Sequence, residues 1–167
     1  MSRKTKHGFT IVELLIAIVV IAILASISIV AYIGIQNRAY DSTVQSDAGA
    51  IAKHLELQKI DKGSYPIGAP YFPSDLHISK EAYSTSYNNV MYCMNKNTDK
   101  YALGLISKSE KAWLVVSGEV RSVSPVNIHT SACSAVGASW ANDANSGASH
   151  GYNVNSGQWS PGWSLTE

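Results

Sequence analysis

One carboxylate stands out for its surroundings. Glu13 is an acid inside an apolar run that begins abruptly at Phe9, behind the polar or small residues Lys4, Thr5, Lys6, His7 and Gly8. An ionised side chain in such a run costs a few kcal/mol on membrane-insertion scales, so it calls for a partner of opposite charge. The bland alternative is an acid tolerated one helical turn from a membrane edge. Other chemistry is poorly served. His7, His54, His77, His129 and His150 are scattered without metal-ligand spacing. Asp143, Asn145 and Gly147 open like a calcium loop, but a helix-loop-helix site needs Gly and Glu where the chain has Ala148 and Val154, which leaves only an irregular calcium site open. No phosphate-cradling glycine loop and no nucleophile elbow occurs. The reading is of no enzyme, no metal and no cofactor.

The element that must position Glu13 is the run itself. From Leu14 to Ile35 no residue is charged, and as a helix this stretch reaches roughly 33 Å, the thickness of a bilayer's hydrocarbon core. Arg3, Lys4 and Lys6 precede it, which predicts a cytoplasmic N-terminus and an outward-facing domain. Without those three cations, the 13 Lys and Arg of the chain fall to 10 against 12 Asp and Glu, a balance of −2 that gives no electrostatic footprint for nucleic acid. The length of 167 residues leaves room for one ordinary domain after the run. Cys93 and Cys133 would lie in an oxidising compartment, where a disulfide is the first reading and two buried thiols the other.

The string GFTIVELLIAIVVIAIL resembles the type IV pilins and their pseudopilin relatives, whose leader ends in Gly, whose mature chain opens on Phe, and which carry Glu four residues on. Here those are Gly8, Phe9 and Glu13, and the resemblance covers roughly the first 60 residues. It implies cleavage between Gly8 and Phe9 by a prepilin peptidase, N-methylation of Phe9, and extraction from the membrane by assembly machinery with an ATPase and an inner-membrane platform. The product is a helical homopolymer at the cell surface, in which Phe9 and Glu13 serve subunit assembly. The new α-amine on Phe9 would be positive, and a neighbour's Glu13 would neutralise it within an apolar bundle. Many members carry Pro where this chain has Val30, and that Pro accompanies local melting of the helix.

Beyond Gln36 an apolar stripe of Tyr40, Val44, Ala48, Ile51 and Leu55 continues at helical spacing, with Asp41, Gln45, Lys53, Glu56 and Lys59 assigned to the solvent face. Gly63 suits a C-cap and Pro66 follows it; the string IDKGSYP resembles the helix exit of many pilins. The expected organisation is a leader (1–8), a membrane or filament-core half of the helix (9–35), an amphipathic half (36–63), and a remainder (64–167). The last comprises a connecting loop with Pro66, Pro70 and Pro73, a short helical turn near Ser79 to Tyr83, an antiparallel meander and a loop-rich C-terminal region. The strands are Val90–Met94, Tyr101–Ile106, Ala112–Val116 and Glu119–Val123. The fold class is α+β, with a long N-terminal helix whose apolar half protrudes and whose amphipathic half packs on the sheet.

Trp140, Tyr152, Trp159 and Trp163 recur through a polar C-terminal region, either pinning it to the sheet or forming an aromatic surface for a carbohydrate or another subunit. The principal expectation for function is a filament subunit. Its alternatives are a pseudopilin or minor tip pilin of a secretion or DNA-uptake system, and a conventionally secreted or anchored domain cut near Ala25 and Ser26.

Overall fold

Straight-chain and branched aliphatic residues without an interior proline carry helix α1 unbroken from Ile11 to Lys62, 52 residues, in the computed structural model, which describes residues 8–66, 77–125, 128–138, 147–159 and 164–166. The helix passes through Val30 without a break. Upstream of it, Ser26 and Ser28 return their hydroxyls to the carbonyls of Ala22 and Leu24 at 2.7 and 2.8 Å. Its end is a left-handed cap: Gly63 adopts φ 78° and donates to the Lys59 carbonyl at 2.8 Å. The exit is then fixed by Tyr65, which donates its hydroxyl to Glu56 at 2.7 Å and its amide to Asp99 at 3.2 Å, while Asp99 pairs with Lys59 at 3.1 Å.

The chain divides into two units, Met1–Gln36 and Asn37–Glu167. In the first, the large apolar side chains from Phe9 to Ile35 are exposed on every side of the helix, Phe9 at 89% and Ile35 at 66%. Such a surface must be covered by lipid or by other helices. Among the described residues α1 is the one helix long and apolar enough to cross a membrane.

The second unit holds β1 (His77–Ser79), a 3₁₀ turn (Lys80–Ala82), β2 (Val90–Asn95), β3 (Lys100–Ile106), β4 (Ala112–Val116), β5 (Glu119–Val123), helix α2 (Ile128–Ala135), β6 (Gly147–His150), β7 (Tyr152–Asn153), β8 (Gln158–Trp159) and β9 (Ser164–Thr166). The central sheet runs β5-β4-β3-β2-β6, antiparallel throughout. Two small pairs accompany it, β7 with β8 and a parallel β1 with β9. The meander is where its β-branched and aromatic runs place it. Additional to the sequence reading are α2, β6, the β7–β8 pair and the parallel β1–β9 pair.

Alternation along the strands sorts the core into two faces. Val90, Tyr92, Met94, Tyr101, Leu103, Leu105, Trp113 and Val115 meet Val44, Ala48, Ile51, Ala52 and Leu55 of α1. On the reverse face, Cys93, Ala102 and Leu114 meet Ala132, Cys133 and Val136 of the α2 segment, and Met91, Ile106 and Ala112 meet Ile128. Gly104 lies under α2: a Cβ there would stand 2.6 Å from Ile128 Cγ1. Gly104→Ala should therefore destabilise the fold by about 1–3 kcal/mol through overpacking, read as a lowered urea midpoint. An unchanged midpoint would show that α2 is free to lift.

One assignment needs correction. Asp41 does not lie on the solvent face; it is buried at 6% exposure. Its carboxylate accepts from Ser107 Oγ at 2.8 Å, from Ser109 Oγ, and from Lys111 Nζ at 2.8 Å. Those donors come from the turn between β3 and β4, far away in sequence, which is why helix periodicity combined with residue polarity misplaced it.

Asp47, further along α1, accepts from two neutral donors among the described residues, the Tyr83 hydroxyl at 3.0 Å and the Ser79 amide. Burial pushes its carboxyl up from 3.8 to about 6, against the lowering by these two hydrogen bonds. A raised folded value makes its contribution full below pH 3.8 and lost as pH rises through about 6. Asp47→Asn keeps an acceptor for Tyr83, so it should raise stability at pH 7 by on the order of 1 kcal/mol and flatten the decline over that window, as measured by urea unfolding against pH.

Candidate assembly interface

Glu13 is positioned by the start of α1. Thr10 is the N-cap and Glu13 the third helical residue, and the two close a reciprocal capping box. Thr10 donates its amide (2.8 Å) and its hydroxyl (2.7 Å) to Glu13 Oε2, and the Glu13 amide donates to Thr10 Oγ1 at 3.3 Å. The Leu14 amide reaches the Thr10 carbonyl at 3.3 Å, the first turn of the helix. Glu13 thus caps the start of the helix and carries its charge at the same time, and a negative charge there suits the positive end of the helix dipole. The Thr-x-x-Glu spacing before an apolar run was legible in the sequence, and the reading of Glu13 as an isolated acid passed over it.

Gly8 and Phe9 precede the helix outside any regular element, with Phe9 almost fully exposed. Residues 1–7, with Arg3, Lys4 and Lys6, lie outside the described residues. Gly8, Phe9, Thr10 and Glu13 therefore form one continuous segment at the head of an apolar helix. Thr10 is the member that sequence reasoning missed.

Cys93 and Cys133 are joined as a disulfide with Cα atoms 5.1 Å apart. The bond ties α2 to β2 across the reverse face of the sheet, well away from the Glu13 segment in the chain, so its part is architectural. Trp159 packs against the main core, edge-on to Tyr83 with ring centroids 6.4 Å apart and near Tyr152 at 5.9 Å. This is the anchoring reading of that aromatic pair. Trp140, Trp163, Asp143 and Asn145 lie outside the described residues.

Residues 3–29 match the family described as the prokaryotic N-terminal methylation motif. The chain is also similar to type II secretion system core protein G of Klebsiella michiganensis, 35% identical over 66 residues, covering 40% of this chain and 46% of that protein. The protein of the same name from Pseudomonas aeruginosa is 30% identical over 66 residues, again 40% and 46%. The type IV wide pilus major component PilA4 of Thermus thermophilus is 41% identical over 62 residues, 37% of this chain and 47% of that one. The chain thus spans less than half the length of these relatives. No solved structure matches. The methylation motif thus lies over Gly8, Phe9 and Glu13, and the N-terminal part of the chain is similar to proteins of both secretion systems and type IV pili.

Proposed function

We propose that the chain is a structural, non-enzymatic subunit of a type IV pilus or related filament, processed between Gly8 and Phe9 and polymerised through its N-terminal helix. The observation that carries this reading is the apolar surface from Phe9 to Ile35, exposed all round the helix and headed by a single carboxylate. Before assembly the segment lies in the membrane with the leader 1–8 cytoplasmic. Prepilin peptidase hydrolyses the Gly8–Phe9 bond, leaving a carboxylate on Gly8 and an ammonium on Phe9, which is then methylated.

The Phe9 ammonium and a neighbour's Glu13 would each be costly alone in an apolar bundle, and pairing them makes docking and register a single event. Thr10 occupies Glu13 Oε2 within the same helix, which leaves Oε1 for the incoming amine. Residues 9–35 form the filament core, while 36–63 carry the domain 64–167 on the outside. Head-to-tail contacts that do not close generate a filament. The assembly ATPase and the inner-membrane platform supply the extraction. The similarity to core protein G supports a second reading, a pseudopilin of a type II secretion system.

The first test is the intact mass and N-terminal sequence of protein sheared from cells. A chain beginning at methylated Phe9 supports filament assembly, whereas a start near Ser26 would mean conventional secretion. Glu13→Leu should leave cleavage intact and abolish filaments. Surface filaments lost on gene deletion with secretion unaffected favour the pilus; the reverse favours the pseudopilin.

A further inference from the structure

Past Ile35 the chain turns polar at Gln36, whose side-chain amide donates to the Tyr32 hydroxyl at 2.8 Å, and the second unit starts at Asn37. Arg38 is exposed and Tyr40 half-buried. The turn between β3 and β4 is held against this part of α1. Asp41 binds its Ser107, Ser109 and Lys111 as described, the Ser107 amide closes on the Lys111 carbonyl at 2.8 Å, and the Lys108 amide reaches Ala82 at 2.8 Å. The Lys108 ammonium stands 5.3 Å from the centre of the Tyr40 ring. Lys108 is exposed, and Lys111 keeps 63% of its side chain open while paired.

Covalent reach ties this cluster to a membrane face. Tyr40 follows Ile35 so closely that it lies within about 18 Å of it whatever path the chain takes. Tyrosine rings and cations are the side chains that settle where hydrocarbon gives way to headgroups.

We propose that Tyr40, Lys108 and Lys111, with Arg38 about half a helical turn before Tyr40 on α1, form a docking surface for the phosphates of lipid headgroups, holding the β3–β4 turn on the bilayer before assembly. The inference rests on the membrane reading of residues 9–35. Asp41 is enclosed by its donors. With the Lys111–Asp41 pair counted as neutral, Arg38, Lys108 and the half-buried Lys80 stand against the exposed acids Glu110 and Glu81, which leaves one cation in excess. Contact with the headgroups sets the domain's height on the membrane, and extraction into a filament releases it.

The test is amine-reactive footprinting of the full-length protein in vesicles of phosphatidylcholine, with or without about 30% phosphatidylglycerol. Lys96, exposed in the turn at the other end of β3, is the internal reference. The anionic vesicles should slow Lys108 modification about three-fold relative to Lys96, because an anionic surface holds the amine protonated and screened from reagent. About 0.5 M salt should remove most of that protection, and Arg38→Gln should weaken it. Equal relative rates in both vesicles, in protein that co-floats with them, overturn the proposal alone. Protection that ignores lipid charge and grows with protein density also overturns it, pointing instead to an acid of a neighbouring copy. Failure to co-float overturns the membrane reading itself.

Discussion

Replacing Cys93 and Cys133 together by alanine should lower the unfolding free energy of the domain by about 2–5 kcal/mol. The bond closes a loop with a sequence separation of 40, for which chain-entropy arithmetic gives about 4 kcal/mol at 25 °C. Both sulfurs are buried, so the alanines also leave unfilled volume between β2 and α2. The effect should be uneven. The face packed on α1 has its own core of Val44, Ile51, Leu55, Tyr92 and Leu103, whereas the α2 face is built from small residues, Ala102, Ala132 and Cys133 among them. Amide hydrogen exchange in α2 should therefore accelerate more than in β3. Urea unfolding of the detergent-solubilised protein measures the total, and an unchanged midpoint would mean that the bond adds no constraint beyond the packing.

Asp41→Ala is the second large loss, about 2–4 kcal/mol. Truncation leaves the Ser107 and Ser109 hydroxyls, 2.7 Å apart, to bond only each other, so one of the two donors loses its acceptor beside the buried Ser107, and it releases Lys111. Burial pushes the Asp41 carboxyl up, but hydrogen bonds from Lys111, Ser109 and Ser107 and the Lys111 charge outweigh it, and the net displacement is below 3.8. A depressed folded value gives stability that is present above pH 3.8 and lost as pH falls through the folded value. Asp41→Asn should thus cost stability at pH 7 and show a shallower acid limb than the parent. Asp47→Asn should behave oppositely, gaining at neutral pH. Two acids on one helix differ in sign because one meets an ammonium and the other a phenol and an amide. If both variants shifted in the same direction, that contrast would be wrong.

Much was legible from local pattern. The apolar run, the Gly8, Phe9 and Glu13 constellation, the helix end at Gly63 and the four strands from Val90 to Val123 all follow from spacing along a short stretch, because the 3.6 and 2.0 periods are properties of neighbouring residues. The capping box of Thr10 and Glu13 was equally local and was passed over for the rarer feature, the acid in an apolar run.

What the tertiary structure alone decided involves partners distant in sequence. Asp41 falls on the same helical line as Val44, Ala48 and Leu55, yet nothing near it in the chain announces the serines and the lysine that make its burial tolerable. The helix α2 is a short run of small residues with weak propensity of its own, and packing on the sheet with a disulfide to β2 holds it there. β6 joins the edge of β2, and β9 lies parallel to β1, pairings that depend on chain segments meeting from afar. The sequence by itself determined the apolar helix and the Thr10–Glu13 turn that opens it, since hydrophobicity and residue order are written in consecutive positions. Only the fold decided which polar side chains went inside and what covers the second face of the sheet, because the free energy of burying a charge or a glycine depends on which distant groups arrive beside it.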